Sequence, residues 1–430
     1  MKILHTADWH LGKKIEGKSM LANQQAALSD VEAAVASEKP DLILVCGDVF
    51  DTAVPPAEAE QLFFDACERL SSYGCPVAVL AGNHDDSDRL CAARSLAVRH
   101  NIYLVGDMDN DFYSAYGVEN GRGWLRLNTP GGKVCLAALP YPLESFLRSD
   151  NNADGGEQKA EAEAMARENE SAGGENEETQ YDLGYSQKVK SLIDECVQGF
   201  SQGLVNIFAA HLFMLPGSEE KTLGGAKILP GEILPQSADY VALGHVHKNM
   251  RAAKGAAAWY SGSLTPCSFT ETDDRFVNLI EIKAAGESEN SAAEEEGDGR
   301  DKILEVRNNG DKSVTVRKIR LESVKKLIRI EAKSYDEAKE KLCSCDGYAE
   351  IMYDCPTPLT SLQINALRSC PSFVKFTPCF NALSEQSDEK RKLMTDEQLF
   401  EAFFERKKGR LPDADEKEAF FKAVRKEELL

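Results

Sequence analysis

No uninterrupted apolar run in the 430 residues approaches the roughly 20 that a membrane-spanning helix needs, so no membrane span is expected. The start of the chain, Met1-Lys2-Ile3-Leu4-His5, lacks the apolar core of a signal peptide. It reads as a first strand, and a cytoplasmic location is expected. Twelve cysteines are present, but none forms a Cys-x-x-Cys pair, and Cys343 and Cys345 are the closest two. A zinc or disulfide framework is therefore not signalled; free thiols in a reducing compartment are the reading. No serine- or cysteine-centred nucleophile stands out either. A basic balance is also missing, because 71 acids face 50 bases and the net charge is −21.

That charge is concentrated. Residues 150–178 hold ten acids against two bases, and residues 287–301 hold seven against one, so two segments carry −14 of it. Both are poor in large apolar residues and rich in Glu, Gly, Asn, Ser and Ala. They read as solvated surface segments that cannot bury enough to order themselves. The charge thus describes tethers, and it does not exclude an anionic substrate elsewhere.

A chain of this length is expected to form two or three domains, and 42% hydrophobic with 28% charged residues is a globular composition. Its organising stretch is Leu42-Ile43-Leu44-Val45-Cys46-Gly47-Asp48-Val49-Phe50-Asp51. Five apolar residues make a strand suited to burial on both faces, Gly47 lets the chain turn, and Asp48 is delivered at the strand end. Open sheets place ligands at that end. The same arrangement recurs. Lys2–Thr6 leads to Asp8 and His10, two apart on one face, and Pro76–Leu80 leads to Gly82-Asn83-His84-Asp85. Val205–Ala210 delivers His211, and Asp239–Gly244 delivers His245 and His247. His5 and His100 carry no companions and read as structural.

Helices are expected over 21–37, from Pro55-Pro56 to Ser72, over Asp86–His100 and over about 186–202, with a hairpin pair in 122–140 around Pro130-Gly131-Gly132. Tyr260-Ser261-Gly262-Ser263 reads as a hydroxyl-rich loop able to hold a phosphate. Beyond the second acidic segment come a strand at Lys326–Ala332, a helix at Tyr335–Leu342, a strand at Ala349–Tyr353, a helix at Thr360–Ser369 and a strand at Phe373–Thr377. That small α/β unit lacks the ligand residue types and reads as a cap. Thr395-x-x-Gln398 before Leu399, Phe400, Phe403 and Phe404, and Asp413-x-x-Glu416 before Phe420 and Phe421, read as two capped terminal helices that either dock on the protein's own body or, exposed, bind a partner.

Asp8, His10, Asp48, Asn83, His211, His245 and His247 are too many ligands for one ion and suit two ions sharing a carboxylate. Two-ion sites hold their metals about 3.5–4 Å apart and act on phosphoesters. Mixed nitrogen and oxygen donors favour manganese, iron or zinc. The attacking group is then a water activated at the metals.

Asp8-x-His10, Gly47-Asp48-x-x-Asp51, Gly82-Asn83-His84-Asp85, His211 and Gly244-His245-x-His247 together resemble the five motifs of the calcineurin-like metallophosphoesterases. His5–Gly12, Gly47–Thr52, Gly82–Asp85 and Tyr260–Ser263 narrow the resemblance to the SbcD-type nucleases. The resemblance implies an α/β fold, a β-sandwich flanked by helices, plus a small α/β cap domain and C-terminal helices. The implied domains are 1–283 for the nuclease, 284–302 for an acidic linker, 303–383 for the cap and 384–430 for partner-binding helices. It assigns Asp8, His10, Asp48 and His247 to one metal, and Asp48, Asn83, His211 and His245 to the other. It makes His84 the catalytic histidine and gives Asp51 the task of orienting it. Two divalent ions, Mn²⁺ foremost, are implied. So are 3′→5′ exonuclease action on duplex DNA and endonuclease action on single strands and hairpins, in repair, recombination and replication. The implied partners are DNA, a second copy joined through helices 57–72 and 86–99, and an SbcC-type ATPase taking the C-terminal helices in a heterotetramer. ATP is expected on that partner, with no phosphate-cradling P-loop here. The alternative is a two-metal phosphatase or phosphodiesterase acting on a substrate other than DNA. A non-catalytic scaffold of the same fold is disfavoured by the complete ligand set.

Overall fold

The computed structural model describes residues 1–142, 178–214, 221–223, 226–253, 257–284, 301–309, 312–355, 357–379 and short stretches between 398 and 417. The first acidic segment, the second up to residue 300 and most of the terminal helices lie outside the described residues. The chain divides into two compact units, residues 1–328 with 346–348, and residues 329–345 with 349–430.

The first unit is built on two seven-stranded sheets. One runs, edge to edge, Asp301–Asn309, Lys312–Arg320, Phe276–Ala284, Lys2–Thr6, Leu42–Cys46, Val77–Leu80 and Ile102–Val105. The other runs Met250–Ala253, Ala258–Tyr260, Tyr240–Gly244, Val205–His211, Gly132–Leu139, Trp124–Thr129 and Glu119–Gly121. The strands that precede the site motifs lie side by side and parallel: Lys2–Thr6 with Leu42–Cys46, that strand with Val77–Leu80, and Val205–His211 with Tyr240–Gly244. Parallel strands end at the same edge, so every motif is delivered to one rim.

The alternation of the organising strand shows how the layers form. Leu42, Leu44 and Cys46 face the second sheet and pack with Leu136, Ile207, Ala209 and Tyr240. Ile43 and Val45 face outward, under the helices Leu21–Glu38 and Ala57–Ser71. The first helix buries Ala27, Leu28, Val31 and Val35, and the second buries Ala59, Phe63, Cys67 and Leu70, the spacing of one helical face. On the far side, Val189, Ile193 and Cys196 of helix Glu178–Cys196 cover Phe208, Ala210, Val241 and Leu243. The result is the expected sandwich flanked by helices.

Three expectations need correction. The expected linker and cap take in residues 301–320; instead, Lys312–Arg320 pairs along the whole of Phe276–Ala284, and Asp301–Asn309 pairs with it in turn. The sandwich therefore extends past the acidic segment, and the first unit runs to Ile328. The single helix expected at Asp86–His100 is broken into Ser87–Cys91, Arg94–Ala97 and a 3₁₀ turn at Val98–His100. Finally, Gly12-Lys13-Lys14-Ile15-Glu16-Gly17-Lys18-Ser19 does spell the P-loop consensus, contrary to the expected absence. Its backbone forms a hairpin of Lys14–Ile15 with Lys18–Ser19 around Glu16 and Gly17, both at positive φ (49° and 81°). That is the primed two-residue turn of a hairpin, and it does not gather N–H groups around a phosphate.

A three-stranded sheet in the order Lys326–Ala332, Gly347–Tyr353, Phe373–Pro378 falls mostly in the second unit, with helices Tyr335–Ser344 and Ser361–Arg368. Ser334 caps the first helix, and a Thr360–Gln363 capping box starts the second.

His5 is fully buried, with Nδ1 3.0 Å from the Tyr240 hydroxyl. Burial lowers its pKa from 6.5 to about 3, against a hydrogen bond to the Leu243 backbone that opposes the shift. The unfolded chain takes up this proton near pH 6.5 and the folded chain only near 3. Stability is unaffected above pH 6.5 and falls below it. Urea unfolding of chelator-treated protein at pH 7 and pH 5 is expected to show about 2 kcal/mol more acid destabilisation in the parent than in His5→Gln. Equal losses in both proteins contradict this.

Candidate metal centre

The rim where the strands end is held by backbone before side chains enter. Asp8 N–H donates to Gly47 O at 3.0 Å, His10 N–H to Asp48 O at 2.9 Å and Leu11 N–H to Val49 O at 2.9 Å. The two loops are thus locked in register. Asp8, His10, Asp48 and His245 all adopt positive φ, at 51°, 46°, 47° and 100°. Such conformations cost non-glycine residues about 1–3 kcal/mol each and gather at functional sites. Gly47, at φ 84°, is required because a Cβ there would run into the His211 ring. Gly82 is required because the Asp48 carboxylate stands where its Cβ would be.

All seven side chains expected as ligands are brought together here. Asp48 joins two groups of donor atoms, His10–Asp48–His84 and Asp8–Asp48–His211, each with its atoms within 4.8 Å of one another. Asp48 Oδ2 lies 3.6 Å from His10 Nε2 and 3.4 Å from His211 Nε2. His10 Nε2 faces His247 Nε2 at 3.0 Å. Asn83 Oδ1 stands 3.0 Å from both His211 Nε2 and His245 Nδ1. The Asp8 carboxylate accepts from the His245 backbone N–H at 2.9 Å, tying the sheets together at the site.

The supporting contacts decide which nitrogen each ring offers. His211 Nδ1 donates to Cys46 O at 2.9 Å, which leaves Nε2 turned inward. His247 Nδ1 is held by Glu271 Oε1 at 3.1 Å, which leaves its Nε2 for the centre. Tyr141 stacks on the His245 ring at 6.1 Å between centroids.

The electrostatics call for positive charge. Burial alone pushes the Asp8 carboxyl up and would do the same to Asp48. His211, by charge and hydrogen bond, with His10 and His84, outweighs burial and holds Asp48 well below the carboxylate range. In return, against its own burial, His211 is raised to about 9 by Asp48 and Asp8. His247 is likewise raised, against burial, to about 11 by Cys267, Glu271 and Asp8. His245 is lowered to about 3 by burial and the neighbouring His211. Two buried carboxylates ringed by imidazole nitrogens that point inward form a donor set that fits divalent ions of borderline hardness.

Asp51 and the 260–263 loop act differently from the expectation. The Asp51 carboxylate does not hold His84. It takes Lys13 Nζ at 2.9 Å and lies 3.5 Å from His10 Nδ1, whereas His84 Nδ1 sits on the Asp51 backbone carbonyl at 2.9 Å. The 260–263 loop is no open phosphate cradle, because Tyr260, Ser261 and Ser263 are fully buried. The Tyr260 hydroxyl donates to Leu212 O at 2.7 Å, and Ser263 Oγ donates to Thr265 O at 3.0 Å while accepting from Arg275. Gly262, at φ 80°, lies against the backbone of residues 247–249. The loop packs beneath His247.

Sequence reasoning named Asp85 in its motif without giving it a role, and missed Glu271 and Arg275. Asp85 accepts from Val49 N at 3.0 Å, Phe50 N at 2.8 Å and Gly82 N at 2.8 Å, clamping the Asp48 loop to the Asn83 loop. Its place beside His84 in the motif was the only signal. Glu271 and Arg275, joined at 2.9 Å, sit in an irregular segment with no periodicity to mark them.

A family model described as calcineurin-like phosphoesterase matches residues 1–249. The chain is 33% identical over 296 residues to the D subunit of nuclease SbcCD from Bacillus subtilis (strain 168), covering 67% of this chain and 68% of that protein. It is 29% identical over 286 residues to the D subunit of nuclease SbcCD from Escherichia coli (strain K12), covering 65% and 64%. It is 28% identical over 300 residues to the Rhodobacter capsulatus protein of the same name, covering 66% of each.

Replacing Asp85 with Ala strands three backbone N–H groups at about 1–3 kcal/mol each, so a loss of about 3 kcal/mol or more is expected in chemical denaturation. A variant within about 0.5 kcal/mol of the parent contradicts the clamp.

Proposed function

The chain belongs to the calcineurin-like phosphoesterases, and among them to the SbcD-type nucleases; from that membership we propose that it is a two-ion DNA nuclease. Its proposed activities are 3′→5′ exonuclease action on duplex ends and endonuclease action on single strands and hairpins, in repair, recombination and replication. Its proposed partners are an SbcC-type ATPase, which binds the ATP, and a second copy of this chain, all in the cytoplasm. The observation that carries the reading is the single Asp48 carboxylate common to two groups of donor atoms. Asp8, His10, Asp48 and His247 would hold one ion, and Asp48, Asn83, His211 and His245 the other, with Mn²⁺ as the proposed metal. When bound, the ions supply Lewis-acid charge at a phosphodiester.

The remaining chemistry falls to the chain's own residues. His84 is exposed at the rim, and its backbone N–H donates to Asp48 Oδ1 at 2.9 Å. Its Nδ1 donates to the Asp51 carbonyl at 2.9 Å, so Nε2 is the nitrogen presented to a substrate. In the protonated ring that Nε2–H would be given to the leaving oxygen of the broken ester. The Asp51 carboxylate accepts from Lys13 Nζ at 2.9 Å and lies 3.5 Å from His10 Nδ1. Among the described residues no helix is long and apolar enough to cross a membrane.

The test is Mn²⁺-dependent cleavage of an end-labelled duplex and a DNA hairpin, with and without the co-expressed ATPase and ATP. The parent is expected to cut both. His84→Gln is expected to lose at least the roughly 10²–10⁴-fold that proton transfer contributes, with metal binding unchanged. Hydrolysis of a generic phosphodiester with no DNA cleavage in either condition would keep the metal site and replace DNA with another substrate. Full cleavage by His84→Gln would remove its proposed role.

A further inference from the structure

Beside the ligand set stands a thiol that it does not use. Cys267 follows the buried loop, and its Sγ forms a third group of donor atoms with His10 and His247, again all within 4.8 Å of one another. Among the described residues no other cysteine stands in such a group. The thiol also reaches Thr265 O at 3.7 Å, a long hydrogen bond.

Its position is fixed by the carboxylate that also fixes His247. Glu271 Oε1 holds His247 Nδ1 at 3.1 Å, while Glu271 Oε2 accepts the Cys267 backbone N–H at 3.1 Å. Arg275, itself buried, donates to Oε2 at 2.9 Å and to the His247 carbonyl at 2.9 Å, so the carboxylate is neutralised and cannot swing away. With His247 Nδ1 occupied, Nε2 is left facing His10 Nε2 at 3.0 Å, and the sulfur completes a three-sided pocket of two imidazoles and one thiol. Two nitrogens and a sulfur are the donors of zinc and cobalt chemistry, whereas manganese prefers oxygen-rich sites.

We propose that Cys267 is a sulfur ligand to the ion held by His10 and His247, and that it biases this position towards thiophilic ions such as zinc and cobalt over manganese. The inference rests on the reading that His10 and His247 bind an ion. The coordinated sulfur is the thiolate, its proton passing to solvent as the ion enters. The two positions of the centre then differ in metal preference, because the donor group that holds His211, Asp8–Asp48–His211, has no sulfur.

Cobalt titration of chelator-stripped full-length protein tests this by absorption spectroscopy. The parent is expected to develop visible cobalt bands together with a near-ultraviolet sulfur-to-cobalt charge-transfer band. Cys267→Ser is expected to keep the visible bands and lose the charge-transfer band. Its zinc affinity is expected to fall by at least the roughly 10–100-fold that losing a mere supporting partner costs, with manganese affinity unchanged. Visible bands without charge transfer in the parent, or charge transfer that survives in Cys267→Ser, would overturn the sulfur ligand while leaving the ion site in place. No cobalt spectrum in either protein would overturn the ion site itself, and the sulfur ligand with it.

Discussion

The burial of one carboxylate governs this site. Asp48 is 2% exposed, at the end of a strand covered on both faces. Taking a carboxylate out of water costs several kcal/mol unless opposite charge and hydrogen bonds are supplied. Three histidines answer that demand. The His84 backbone N–H reaches one oxygen, His10 and His211 stand near the other, and the pKa of His211 rises as a result. The donor atoms around it fall into two groups that share this carboxylate, and each could hold a metal ion.

Meeting that demand strains the backbone, and the fold contains the strain. Four of the expected ligands sit at positive φ, in loops just past a parallel strand. They are held there by loop-to-loop hydrogen bonds and by the Asp85 clamp. Behind them lie the sandwich core and the two helix-covered outer faces. A loosely packed frame would relax the loops and scatter the donors. Supporting carboxylates such as Glu271 then choose which ring nitrogen faces inward, so the chemistry of the centre is set one layer behind it.

Much of this was legible in the residues, for identifiable reasons. Apolar runs that lead into polar ligand residues predict buried strands that share a rim, and the strands at Lys2–Thr6, Leu42–Cys46, Val205–His211 and Tyr240–Gly244 have that form. The small α/β unit was equally plain, since the helix expected at Thr360–Ser369 is present as Ser361–Arg368. What escaped depends on contacts distant along the chain. The pairing of Lys312–Arg320 with Phe276–Ala284 spans the acidic segment, so composition suggested a domain boundary where the sheet in fact continues. The 260–263 hydroxyls look solvent-facing in a sequence, and only the packing of Tyr260 against Leu212 and Met214 turns them inward. His84 is held by a backbone carbonyl of Asp51, which no residue type can announce. The P-loop spelling at residues 12–19 is the converse case, where the letters match and the backbone geometry does not.

Manganese stoichiometry, read by titration calorimetry on chelator-stripped protein with Asp48→Asn alongside, bears most directly on the shared carboxylate. Two ions per chain in the parent, with both sites weakened by the single substitution, is the predicted result. One ion per chain, or a variant that loses one site and keeps the other at parental affinity, would contradict a carboxylate common to both.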